Sequence, residues 1–232
     1  LAAHLAPAAA APALQPQPQP GRLGALERDL ALWLATLHGP PDVMAVRPVH
    51  TRWLPPTLVA TLCQRLGLDA DPAFTPIRSE RHHPYLAFLH YLALAADLIA
   101  VTPAAFQLTP TAWAWLAADA ATRHQQLYQA WCAAPAALAR PFDFPWEPLP
   151  PAARADLLPH LARLGDQPPQ PLSAVVAQWR LHDHLGRLPA PHPVTWYAEE
   201  DEPLHDPLLA LCTGPLHWLN LVELLYAPAE AT

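Results

Sequence analysis

The stretch "HHPYLAFLHYLALAADLIAVTPAAFQLTPTAWAWLAADAA", residues 82–121, limits the fold more than any other part of the chain. Pro84 suits the first position of a helix, where its missing N–H is not needed. Tyr85, Phe88, Leu89, Leu92 and Ala96 then recur on one helical face. The β-like "LIAV", a short turn "TPAA" and "FQL" follow. Thr109 and Pro110 next supply an N-cap and a first helical residue. The spacing therefore predicts a hairpin pairing Leu98–Val101 with Phe106–Thr109, and a helix from Pro110. Helix, strand, turn, strand, helix is the pattern in which a hairpin closes the open side of a small helical core, as the wing does in a winged-helix domain. Trp113 and Leu116 are expected inward. Trp115, two residues from Trp113, is expected to meet the next helix, "ATRHQQLYQAWCAA".

Upstream, Leu23, Leu26, Leu30, Trp33, Leu34 and Leu37 recur at three- and four-residue steps until Gly39-Pro40 stops the helix. Residues 43–49, "VMAVRPV", alternate like a short strand. A helix after Pro55-Pro56 carries Leu58, Val59, Leu62 and Leu66 to a C-terminal Gly67. Residues 1–21 are Ala, Pro and Gln of low complexity; alternating Gln-Pro favours extended backbone and closes no core, so a disordered tail is expected. "PFDFPWEPLP" at 141–150 reads as a Pro- and aromatic-rich connector. Residues 151–165 and 169–188 read as two more helices, followed by an acidic loop at 198–202.

The end of the chain, "PLHDPLLALCTGPLHWLNLVELL", repeats the logic of the middle block: an apolar helix, a break, a Trp, then "LVEL" in the place of "LIAV". Pro215 cannot donate to the carbonyl of Leu211, so the helix must end or kink there. Thr213 is expected to cap a last short turn, and Leu219–Leu225 to be extended. Trp218 is expected to be buried as the counterpart of Trp113. The fold class expected is mainly α, with tandem winged-helix-like modules carrying short β-hairpin wings. Its divisions are a tail at 1–21, one module at 22–140, the connector at 141–150 and a second module at 151–232.

Charge then limits function. Thirteen Arg, no Lys and twenty acidic residues give a net charge of −7, so the whole molecule is no general polyanion binder and any nucleic-acid surface must be local. Residues 43–83 hold Arg47, Arg52, Arg65, Arg78 and Arg81 against Asp69, Asp71 and Glu80, a net of +2; the remaining eight Arg and seventeen acidic residues give −9. His50, His82 and His83 add local donors. Arg47, Arg52 and Arg81 are the expected nucleic-acid contacts, because they flank a turn and precede a helix, and the guanidinium fork suits phosphate. An ordinary mixed surface with scattered ion pairs is the competing reading.

Cys63, Cys132 and Cys212 are odd in number, widely spaced and without CxxC, which fits free thiols in a reducing cytoplasm rather than a disulfide scaffold or zinc site. Neither His82-His83 nor His182-x-His184 puts both rings on one helical face, so no metal or other cofactor is expected. Glu199, Glu200, Asp201 and Glu202 read as a solvated loop, with a cation site as the alternative. The nine Trp read mainly as core, with base stacking as the alternative. The longest apolar run, 85–101, is interrupted by His90 and Asp97, so no transmembrane helix is expected. No nucleophile elbow or phosphate-cradling Gly-rich loop occurs.

Leu94 to Val101, Leu108-Thr109-Pro110, Trp115-Leu116, Thr213-Gly214-Pro215-Leu216, Trp218-Leu219 and Leu221-Val222 together resemble the bacterial relatives of the XPB-type helicase N-terminal domain. These are tandem winged-helix proteins, mostly without an assigned function. The resemblance covers roughly residues 23–226 and rests on apolar, structural motifs, so it implies a fold and brings no catalytic residues. Asn220 stands where that group usually has Gly, and Asn also tolerates the left-handed conformation. Members of the group usually continue further, and residue 1 is Leu rather than Met; both suggest a piece of a longer protein. The leading functional expectation is a non-enzymatic nucleic-acid-binding or regulatory module, with a protein–protein interaction scaffold as the alternative. Its partners would be DNA through the local basic face, or other proteins, and no membrane.

Overall fold

The computed structural model describes residues 17–18, 25–38, 46, 48–49, 52–68, 79–142, 144, 146, 149–164, 170–182 and 207–226. The chain is mainly helical among these residues. Helix α1 (Leu26–His38) and α2 (Pro56–Leu66) come first. A 3₁₀ turn (Glu80–His82) then leads into α3 (Pro84–Ala95). Strands β2 (Ile99–Val101) and β3 (Phe106–Leu108) form an antiparallel hairpin, followed by α4 (Pro110–Ala117) and α5 (Ala120–Ala133). The short α6 (Ala136–Ala139), α7 (Pro151–Leu164), α8 (Leu172–His182) and α9 (Pro207–Leu211) complete the helices.

The middle block folds as its spacing predicts. Ile99 faces Leu108 and Val101 faces Phe106, and Thr109 N–H donates to the Leu98 carbonyl. The Thr109 hydroxyl accepts from Ala112 N–H at 3.2 Å, capping a helix whose first residue is Pro110. Of the strand expected at 43–49, Val46, Pro48 and Val49 are described. The Val46 carbonyl accepts from Phe106 N–H, placing it beside the hairpin's outer strand, and Val49 forms a bridge with Trp53.

Of the two tryptophans, Trp115 meets α5 as expected, but Trp113 does not turn inward. Trp115 is 1% exposed and its Nε1 donates to the Arg123 carbonyl of α5, whereas Trp113 is 50% exposed and, among the described residues, its ring meets the edge of His38. Helix α4 is apolar on every side, so its own sequence does not choose between the rings. The contact with α5 does. Leu116 is only partly buried.

Helix α3 is the centre of the molecule. Tyr85 through Ala93 are all buried, on every face, which fits a helix with no polar stripe. One cluster of buried side chains runs from Leu26 to Leu219, and the stretch expected as a connector lies within it through Phe142, Trp146 and Leu149. Phe142, Phe144 and Trp146 stack in sequence, 5.4 Å and 4.4 Å between centroids, against Tyr91 and Phe88 of α3. Asp29 is buried on α1 and accepts a 2.9 Å bond from the Tyr85 hydroxyl, joining α1 to α3.

Three helices end in the same turn. After α2, Gly67 (φ 62°) sits in the left-handed region, with Gly67 N–H on the Gln64 carbonyl and Leu68 N–H on that of Cys63. After α3, Asp97 (φ 53°) does the same, with bonds to Leu94 and from Leu98 to Ala93. Asn220 (φ 55°) repeats it, with bonds to His217 and from Leu221 to Leu216. This pairing of bonds is the Schellman termination. "DLI" and "NLV" are thus structurally equivalent, the left-handed residue being one that tolerates it.

Pro215 breaks the regular helix as expected. Residues Cys212–Leu216 widen into a π-type turn in which Gly214 leaves helical geometry (φ −108°, ψ −108°). Thr213 does not cap this turn as an acceptor; its hydroxyl donates back to the Leu209 carbonyl at 3.0 Å. Residues 219–222 are turn and bend rather than the extended strand expected over Leu219–Leu225, because the helix ending at Asn220 occupies them, and only Leu225 of that stretch lies in a strand. β4 (Leu225–Tyr226) pairs antiparallel with β1 (Gln17–Pro18), a segment of the stretch expected as a disordered tail. Trp218 is partly buried in a ring cluster with Tyr85, Phe88 and Trp146.

Candidate nucleic-acid interface

Two of the three arginines expected to contact nucleic acid are described, and the fold brings their segments together. Arg52 is exposed in the turn closed by the Val49–Trp53 bridge. Arg81 is exposed in the 3₁₀ turn, its guanidinium 5.5 Å from the centroid of the Trp53 ring. Arg47 lies outside the described residues, as do His50, Arg78 and the acidic run 199–202. Arg65, on α2, donates to the Thr36 hydroxyl of α1 at 3.1 Å. His82 is exposed beside Arg81, whereas His83 turns inward enough to cap α3, its Nδ1 accepting from Leu86 N–H at 3.3 Å.

The two arginine segments are joined from below by a residue that sequence reasoning counted only as a charge. Glu80 is 0% exposed. One carboxylate oxygen accepts from Leu54 N–H at 2.9 Å and the other from His90 Nδ1 at 2.9 Å. His90 is also fully buried, with Trp33, Phe142 and Phe106 rings at 5.4, 5.2 and 5.6 Å. Both oxygens of Glu80 are thus engaged inside the core. The arrangement is a closed circuit: Trp53 and Leu54 are held by Arg81 above and Glu80 below. His90 Nε2 has no hydrogen-bond partner among the described residues.

Such a surface can contact phosphate. Guanidinium groups supply bidentate donors, and the ring beneath Arg81 restricts its rotamers, which lowers the entropy lost on binding. Reading bases by inserting a helix is a different matter, because α3 has no solvent-facing side to insert.

Elsewhere the polar chemistry is structural. Asp119 caps α5, accepting from Thr122 N–H at 2.9 Å and Thr122 hydroxyl at 2.8 Å. Those bonds hold its carboxyl below the usual range. Burial pushes the Cys132 thiol up, offset in part by its bond with Tyr128 and by Arg154. Tyr128 is pushed up to about 12, by burial first and by Cys132 second. All three cysteines are free thiols. Among the described residues no three His, Cys, Asp or Glu side chains gather as a metal site, and no helix is long and apolar enough to cross a membrane. Comparison of the chain with family models, curated proteins and solved structures returns no match.

Proposed function

We propose that this chain is a non-enzymatic, winged-helix-like module that binds nucleic acid through its phosphate backbone, using Arg52, Arg81 and Arg47. The observation that carries the reading is the Arg81 guanidinium 5.5 Å over the ring of Trp53, the residue that follows Arg52 in the chain, with Glu80 tying both segments together from inside the core. The winged-helix reading is supported by the order α1, Val46, α2, α3, β2, β3, in which Val46 adds to the β3 edge. The shared helix ending at Asp97-Leu98 and Asn220-Leu221 supports a second, related module. The resemblance to bacterial XPB-type N-terminal domains agrees with both. Because α3 is enclosed, the expected contacts fix position on the backbone and carry no base sequence. A mobility-shift titration of unrelated single- and double-stranded DNAs at two salt concentrations tests this. Binding to all sequences alike, weakening steeply with salt, is expected; no shift at low salt overturns the reading.

A protein–protein scaffold is the second reading, and one observation favours it. Residues 98–118 contain no charged side chain, yet Trp113 is half exposed among them. A large ring on an uncharged surface is the usual composition of a protein contact.

A further inference from the structure

We propose that the cleft between α3, α5 and α7 is a binding site for a small monovalent anion of chloride size, held by Arg154 and Tyr91. Arg154, on α7, is 2% exposed. Its guanidinium donates to the carbonyls of Trp131 and, at 3.0 Å, Ala134, and lies 5.0 Å over the Trp131 ring. Those carbonyls end α5, so the charge sits at the negative pole of that helix, equivalent to about half an elementary charge. Among the described residues no carboxylate pairs with it. A cation removed from water and only half compensated is a costly arrangement unless a counter-charge completes it.

The second donor is Tyr91 on α3. Its hydroxyl oxygen accepts from Arg154 Nη2 at 3.5 Å, and its own proton has no acceptor among the described residues. Burial pushes the phenol up, against the opposing effect of Arg154, so it remains a protonated donor at neutral pH. Both groups line one cleft, partly open to solvent and walled by Trp131, Phe144, Trp146 and Leu211, with room for a single small occupant. Two donors in the lining, no paired carboxylate among the described residues and apolar walls select a small, weakly hydrated anion over a larger or divalent one. The site shares no residue with the Arg52–Arg81 surface and does not depend on the function proposed for it.

Thermal unfolding of the full chain in sodium chloride and in sodium gluconate at matched ionic strength tests the proposal. Chloride should raise the melting temperature by about 3–6 °C over gluconate when present at ten times its dissociation constant. Bromide should substitute for it. Tyr91→Phe keeps the ring and removes the donor, and should reduce the chloride-specific shift several-fold; Arg154→Met should abolish it. Should Arg154→Met fail to fold, the ³⁵Cl line width decides on the wild-type chain: broadening relieved by bromide supports the site. Equal melting in both salts, or absence of that broadening, overturns it and leaves water as the occupant. A chloride shift unchanged in Tyr91→Phe overturns it as well.

Discussion

Substituting Glu80 by Ala removes the one acceptor that serves both Leu54 N–H and His90 Nδ1 in a fully buried place. Each buried donor left without an acceptor costs about 1–3 kcal/mol, so the two together set a loss of about 2–6 kcal/mol. Nothing exposed stands near enough to water to soften it, since Glu80 and His90 are both 0% exposed. Glu80→Gln keeps one oxygen but turns an amide N–H₂ toward the other donor, and should lose about half as much. The His90→Ala and Glu80→Ala changes share one hydrogen bond, so the double variant should show coupling of about 0.5–3 kcal/mol. Urea denaturation followed by tryptophan fluorescence reads all five chains, wild type included. A Glu80→Ala variant that loses less than about 1 kcal/mol with an unchanged m-value would refute the reasoning, because it would mean the two donors find water or were never paired.

The unequal burial of the two tryptophans gives a sharper contrast. Trp115→Ala should cost about 3–5 kcal/mol, and Trp113→Ala should stay within about 0.5 kcal/mol in the same urea titration. The reverse order would restore the periodicity-based expectation. At Gly214 an added Cβ would lie 3.1 Å from Trp146 Cζ3 and 3.4 Å from Trp218, so Gly214→Ala should lose about 1–3 kcal/mol by overpacking, measured as a lowered denaturation midpoint. Because the folded Asp119 carboxyl is held below its usual value of 3.8, its stabilisation is present above that pH and fades as pH falls through the lowered value. The difference in melting temperature between wild type and Asp119→Ala should therefore shrink on acidification; a difference that grows would contradict the cap. The raised Cys132 thiol should react with iodoacetamide at pH 8 more slowly in the folded chain than in urea, as followed by mass spectrometry.

Local rules recovered what local chemistry decides. Thr109-Pro110 marks a helix start, Gly67 marks a helix end, and "LIAV" with "FQL" marks a hairpin; each signal lies within a few residues of the structure it causes. Trp113 and Trp115 were not separable this way, because both belong to a helix apolar all round and only α5 distinguishes them. The strap at 142–146 did carry a signal, aromatic rings at every second residue, but the intervening Pro and Asp read as a connector and outweighed it. The central part of the candidate site was the least legible. Glu80 is charged and lies in a basic segment, and its partners are ten and twenty-six residues away. Nothing in its neighbourhood distinguishes a buried staple from a surface acid. Arg154 is hidden for the same reason, its acceptors lying in α5 and not in α7.

The claim that Arg52 and Arg81 form a phosphate-contacting surface is tested most directly by the salt dependence of DNA binding. The association constant of the wild-type chain and of Arg52→Ala/Arg81→Ala should be measured on one duplex across a series of sodium chloride concentrations. Each phosphate contact contributes about 0.9 to the slope of log affinity against log salt, so losing two should lower it by about 1.8. The loss should be the same on an unrelated sequence. A double variant whose affinity and slope match the wild type would contradict the account, as would a wild-type chain that binds no DNA at the lowest salt.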